Sequence, residues 1–248
     1  MLRFISQTST NGVTEELFTL PFSFGDIPGV LWSPESATGS RPLIFIGHGG
    51  GQHKQSPGVV ARAHRFAAEC GFAVVAVDSP AHGGRPQSAE HQRLLTEMRT
   101  RFQSGGDATP ILAELHALIA GQSAPEWQAI LDEVQKLDHV GPGPVGYWGI
   151  SMGCALGIPF VAAEPRVRAA VLGLNGTHTA ADGAERITIP LEFLVQWDDE
   201  MVPRAASLAL FDRFGSPEKT LHANPGKHVE IPPFEVDSSL RFFTRHLT

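Results

Sequence analysis

Only two cysteines occur among the 248 residues, too few for a disulfide framework, and both Cys70 and Cys154 fall inside apolar helical patterns. Two buried, reduced thiols are expected, in a reducing compartment such as the cytoplasm. Also missing is any apolar run of the roughly 20 residues that a membrane helix needs. Stretch 1–20 carries Glu15 and Glu16 and has no apolar run of leader length, so neither secretion nor membrane insertion is expected. Basic clusters are absent: 19 Lys and Arg stand against 26 Asp and Glu, a net charge of −7. That balance argues against nucleic acid or an anionic membrane as partner and leaves a small molecule. There is no internal repeat or long linker. The Pro/Gly/Ser-bearing stretches 33–41 and 141–144 are short enough to be loops, so 1–248 reads as one domain.

What the chain does have is alternation. Strand-length apolar runs fall at 18–24, 30–32, 43–46, 72–77, 145–148, 167–172, 191–195 and, more weakly, 220–223. From Leu43 onward they alternate with helical patterns. Val59, Ala63, Phe66, Ala67 and Cys70 make one helical stripe, ended by Gly71, and Val236, Leu240, Phe243 and Leu247 make another. Runs without period-two alternation, such as 72–77, suit strands covered on both faces. The expected fold is therefore α/β, a mostly parallel sheet with helices on both faces and an antiparallel edge from the early strands. Between 88 and 141 lie helical patterns around 94–102, 111–119 and 127–137, too much chain for one crossover. This segment is either an elaborated crossover or, over 86–141, a partial lid. Pro159, eight residues into the helix after Ser151, is expected to kink or end it.

Chemistry concentrates at Gly149-Ile150-Ser151-Met152-Gly153, between a strand-like and a helix-like run. A serine there can be forced into a sharp, exposed turn and act as a nucleophile, the flanking glycines removing Cβ atoms from a crowded reversal. The plain alternative is an N-cap serine. A serine nucleophile needs a base and a carboxylate that orients it. Asp199 follows the run at 191–195, with Asp198 and Glu200 beside it as an acidic turn. His228 follows the last strand pattern on a loop, ahead of His222, which lies inside that pattern. Oxyanion donors would be the N–H groups of Met152 and of Gly50, in the glycine loop after 43–46. That loop lacks the Lys-Ser/Thr of a P-loop, and His48 and His53 lack a third metal ligand, so neither a cofactor nor a metal is expected. Trp197, Asn175 and His178 follow strands and are candidates for contact with substrate, with packing or turn roles as the alternative.

Five stretches, 46–51, 78–83, 149–153, 199–203 and 226–228, resemble the α/β-hydrolase family, and more narrowly its dienelactone-hydrolase-like branch. The resemblance spans His48 to His228. It implies an eight-stranded, mostly parallel sheet and a Ser–Asp–His triad carried onto Ser151, Asp199 and His228. Asp199 gains support because the family's acid commonly precedes a Val-Pro pair by three residues. Enzymes that name the branch use a cysteine nucleophile, whereas this chain has serine, which implies a carboxylesterase or thioesterase. A non-catalytic ligand-binding homologue, or a C–C or C–N hydrolase using the same triad, stays open as an alternative.

Overall fold

The computed structural model describes residues 1–23, 25–176 and 183–248. Its strands are β1 (Arg3–Thr10), β2 (Val13–Leu20), β3 (Ile27–Pro34), β4 (Leu43–Gly47), β5 (Ala73–Val77), β6 (Val145–Ile150), β7 (Val167–Gly173), β8 (Leu191–Gln196) and β9 (Lys219–Asn224). They form one sheet in the order β1-β2-β3-β5-β4-β6-β7-β8-β9. The first three strands run antiparallel to their neighbours, and all pairings from β5 through β9 are parallel. Among the described residues the helices are α1 (Pro57–Cys70), α2 (Ala89–Gln103), α3 (Thr109–Val134), α4 (Met152–Ala163), α5 (Arg204–Arg213) and α6 (Phe234–Leu247).

Successive residues of the central strands feed opposite faces, which is why these strands are apolar throughout. Leu43 and Phe45 join a core with Trp127, Tyr147 and Phe160 under α3 and α4. Ile44 and Ile46 join another with Phe66 and Phe243 under α1 and α6. Burying one such side chain stabilises the fold by about 1.5–3 kcal/mol. Gly71 closes α1 at φ 71°, its N–H bonded back to the Ala67 carbonyl, the left-handed stop that glycine adopts at least cost.

Four expectations change. The sheet has nine strands rather than eight, because β1 adds an outer edge whose eight residues are all exposed and so carry no apolar signature. The apolar run at 18–24 belongs to β2, which begins at Val13 and ends at Leu20. The patterns around 111–119 and 127–137 merge into the single 26-residue α3, which passes through Pro125. Likewise α4 continues past Pro159 to Ala163. Each proline forfeits one helical hydrogen bond, and burial of both helices against the sheet and each other offsets that loss. Cys154 is buried and Cys70 half-buried, both free thiols.

Strand order positions the site. β4 is flanked by β5 on one side and β6 on the other, so the chain crosses over in opposite directions from it. The loops leaving β4 and β6 therefore diverge, and a crevice opens at the carboxyl ends of these two strands.

Candidate active site

Ser151 links β6 to α4 with φ 55° and ψ −122°, a combination that costs a non-glycine residue on the order of 1–3 kcal/mol. Its backbone is held on all sides. Ser151 N–H donates to the Gly173 carbonyl at 2.9 Å, and its carbonyl accepts from Asn175 Nδ2 at 2.8 Å and from the Cys154 and Ala155 N–H groups. Both glycines of the pentapeptide are obligatory: a Cβ at 149 would lie 2.7 Å from the Gly153 carbonyl oxygen, and one at 153 would lie 2.3 Å from that of Gly47. The chain's one tyrosine, Tyr147, donates from Oη to the Gly153 carbonyl at 2.6 Å and so ties β6 to the first turn of α4.

His228 Nε2 lies 2.9 Å from Ser151 Oγ, and His228 Nδ1 lies 2.7 Å from Asp199 Oδ2. The two side chains beyond the serine are almost sealed, at 7% and 3% exposure for His228 and Asp199. Asp199 Oδ1 accepts the N–H groups of Met201 and Val202, both at 2.8 Å, which fixes the carboxylate in one orientation. Burial works to raise the Asp199 pKa. The hydrogen bonds from His228, Val202 and Met201 outweigh it and hold the group below the usual carboxylate value. The loop that carries His228 is tied down as well: Gln196 Nε2 donates to the Lys227 and Glu230 carbonyls, and Glu200 accepts the His228 N–H at 3.0 Å. Asp198, the neighbour that competed with Asp199 on sequence, is exposed to solvent.

The glycine loop after β4 meets the start of α4, a Cβ built at Gly50 lying 3.9 Å from Met152 Cβ. Among the described residues neither the Gly50 nor the Met152 N–H has an acceptor within the chain. His48 anchors this loop. Its Nδ1 faces the Gly49 carbonyl at 2.9 Å and its Nε2 accepts the Ser79 N–H at 3.0 Å, which requires the neutral Nδ1–H tautomer. Both ring nitrogens are thus engaged, so His48 is not free to bind a metal. Asp78, fully buried, accepts from Lys54 Nζ, Lys54 N and Gly84 N and joins the same loop to the one after β5.

Burial lowers His48 and His116 to about 4 each. The unfolded chain binds these two protons below pH ~6.5 and the folded chain does not, so the stability they confer is full above that pH and is lost as pH falls toward 4. Each shift corresponds to about 3 kcal/mol. Glu192 works in the opposite sense, since burial raises it to about 7 and the folded state holds its proton longer. Burial lowers His91 and His246 as well, so below pH ~6.5 the histidines as a group favour the unfolded state and Glu192 offsets part of that. Denaturant titrations across pH 4–8 should show stability falling steadily toward acid, with a shallower slope in His48→Gln. An unchanged slope in that variant would remove His48 from the account.

A cavity of about 210 Å³ opens beside Ser151 and His228. Phe102, Ala108 and Leu112, from the corner between α2 and α3, form one wall, and Leu174, Met201 and Val202 form the other. Asn175 lines it too, yet its amide is spent on the Ser151 carbonyl and the Gly176 N–H. Trp197 is not among the residues that line it: the residue is 45% exposed, with the Arg204 guanidinium 4.1 Å over its ring. A residue that follows a strand by one position can face either way, and here the indole faces out. His178 lies outside the described residues.

Comparison with solved structures aligns 98% of this chain with 97% of a cold-adapted esterase from an Arctic intertidal metagenomic library, at 31% identity and a TM-score of 0.78. The chain belongs to the α/β-hydrolase family. Acetyl xylan esterase 1 from Thermoanaerobacterium sp. JW/SL YS485 shares the fold at 17% identity and a TM-score of 0.72, with 98% of this chain and 87% of that one aligned. Est1E from Butyrivibrio proteoclasticus, solved with ferulic acid bound, shares it at 16% identity and a TM-score of 0.65, with coverage of 98% and 99%. No protein-family model matches the chain, and comparison with curated proteins gives no match.

In this α/β-hydrolase His222, the rival base, is turned to another task. Its Nδ1 lies 2.8 Å from Glu235 Oε2 and its Nε2 3.8 Å from Glu192 Oε2, so it joins β9 to α6 and β8. Sequence reasoning missed the cavity's other buried histidine, His116 on α3, and the Arg85–Glu126 pair behind the loop after β5. His116 falls within the helical pattern of 111–119, and its place among apolar residues was the one signal in the sequence; the structure buries it to 7% exposure.

Proposed function

We propose that the chain is a serine hydrolase of small carboxylic esters or thioesters, acting through an acyl-enzyme and using no cofactor. The observation that carries this reading is the unbroken chain of contacts Ser151 Oγ, His228 Nε2, His228 Nδ1 and Asp199 Oδ2, at 2.9 and 2.7 Å, ending on a serine in a strained turn. With Nδ1–H donated to Asp199, Nε2 is the acceptor that takes the Ser151 proton as Oγ attacks the carbonyl carbon. The negative charge that develops on the carbonyl oxygen is then met by the Gly50 and Met152 N–H groups, which are free to donate; one such donor lowers the barrier by about 2.7–4 kcal/mol. The imidazolium returns its proton to the leaving alcohol or thiol. Water, activated by the same nitrogen, releases the acid and regenerates Ser151.

Within the family we read the chain as dienelactone-hydrolase-like with serine in place of cysteine, on the five motifs that surround the site. The partial lid narrows to the corner between α2 and α3, because the second half of α3 packs Trp127 and Ile130 into the core. No helix among the described residues is long and apolar enough to cross a membrane. A fluorophosphonate probe is expected to label the wild type once, at Ser151, with no adduct in Ser151→Ala. A folded wild type that resists the probe and turns over no p-nitrophenyl acyl ester would sink the proposal in favour of the ligand-binding alternative.

A further inference from the structure

The cavity beside Ser151 is walled largely by apolar side chains, with Asp107, Thr109, Ser151, Asn175, His116 and His228 as its polar lining. Three polar side chains that line it are more than nine-tenths buried: Asn175, His228 and His116, at 3%, 6% and 7% exposure. Two of them are fully engaged in the contacts already described. His116 is not: its Nδ1 is sealed from solvent and has no hydrogen-bond partner among the described residues. The apolar side chains of Ala108, Leu112, Leu174 and Val202 line the same cavity, and the His82 ring is close enough to disfavour a charge on His116.

The sealed Nδ1 stays unpaired whatever the cavity holds, so Nε2 is the one ring nitrogen through which His116 can meet a substrate. Burial pushes the ring down to about 4, so it is neutral at pH 7 and carries one N–H and one bare nitrogen. A buried N–H without a partner is rarer in proteins than an under-used acceptor, which favours the tautomer with the bare nitrogen at the sealed Nδ1 and the proton on Nε2. Nε2, unlike Nδ1, is not among the sealed, unpartnered atoms. The ring lines the cavity and Nε2 is its one atom able to donate there. The space, about 210 Å³, admits a short acyl chain or a single aromatic ring and little more.

We propose that His116 is a specificity-determining residue that donates a hydrogen bond from Nε2 to an oxygen on the part of the substrate that enters the cavity. The preferred esters then carry a hydroxyl, ether or carbonyl oxygen on a short acyl chain or a single aromatic ring, away from the scissile bond. This deepens the serine-hydrolase reading and rests on it for the position of the scissile bond. Sites that hydrogen-bond a substrate oxygen discriminate strongly against the analogue that lacks it, because the protein's own group is then left buried and unpaired.

The test compares matched methyl esters with and without a distal oxygen: hexanoate against its 4-, 5- and 6-hydroxy forms, and cinnamate against 4-hydroxycinnamate. The wild type is expected to favour at least one oxygenated member by about tenfold or more in kcat/KM. His116→Leu should bring that ratio close to one, chiefly through KM, and His116→Gln, which keeps a donor, should restore part of it. A purely structural role would lower kcat/KM for both members of a pair alike and leave the ratio unchanged. A ratio near one for every pair in the wild type overturns the proposal, as does a preference that survives in His116→Leu. The free acids, titrated into Ser151→Ala by calorimetry, give the same comparison without turnover. Failure of all esters to react would count against the serine mechanism, whereas equal affinity for each acid and its oxygenated partner would count against His116.

Discussion

Replacing His228 with alanine is expected to lower kcat for a p-nitrophenyl ester by about a million-fold, as much as Ser151→Ala, and the double variant should be no slower than either single one. On the proposed mechanism Oγ and Nε2 act as one unit: a serine hydroxyl with no base 2.9 Å away is no better placed than a solvent hydroxyl, and a base with no hydroxyl has nothing to activate. Residual turnover in these variants would come from the Gly50 and Met152 N–H groups and from binding alone. Asp199→Asn should cost about ten-thousand-fold. An asparagine can keep its oxygen on the Met201 and Val202 N–H groups, where Asp199 Oδ1 sits at 2.8 Å from each, and this turns its NH₂ toward His228 Nδ1. The imidazole must then accept at Nδ1 and carry its proton on Nε2, facing Ser151 as a donor when the reaction needs an acceptor. Stability should change little beside so large a loss. Steady-state kinetics with thermal denaturation on the same preparations separates the two. Asp199→Asn at wild-type rates would mean that a different carboxylate orients the ring, Glu200 being the nearest candidate through its bond to the His228 N–H.

What could be read from the residues in advance was whatever is local. The central parallel strands announced themselves because burial on both faces demands apolar residues along their length, as in Ala73–Val77, whereas the edge strand β9, little buried, gave only a weak signal. The pentapeptide around Ser151 was legible because two glycines and a serine between a strand and a helix leave few other conformations. Three things were not legible, each for a physical reason. β1 is exposed along its length, so nothing in its composition separates it from a loop. Trp197 looked like a cavity residue by its place after β8, but which way a side chain faces just past a strand end depends on the turn, and here Arg204 holds the indole outside. His116 could not be joined to Ser151, because they lie on different helices' approaches to the site and only the closing of α2 and α3 over the sheet brings them to one cavity. Long-range polar pairs were invisible for the same reason.

The most consequential of those pairs is Arg85 with Glu126, and Glu126→Ala is expected to remove about 3–5 kcal/mol of stability. The two meet in a bidentate bridge at 2.6 and 2.7 Å, with the Glu126 side chain fully buried and that of Arg85 6% exposed. Truncating the glutamate leaves a guanidinium in the interior with one remaining acceptor, the Asp78 carbonyl at 3.3 Å. Breaking a buried pair costs far more than the pair itself contributes, because the surviving charge has been stripped of water and given nothing in return. A double variant, Arg85→Met with Glu126→Leu, should therefore be more stable than Glu126→Ala, since apolar side chains of similar volume leave no charge stranded. Activity gives a second readout. Arg85 touches the backbone of Asp78, whose carboxylate holds Lys54 and Gly84 and with them the loop that carries Gly50. Loss of the bridge should loosen that loop and lower kcat while leaving Ser151, His228 and Asp199 in contact. Chemical denaturation of the three proteins, with kcat measured at a temperature where all remain folded, checks both parts. A Glu126→Ala protein as stable as the wild type would show that water reaches Arg85 and that the bridge is not sealed.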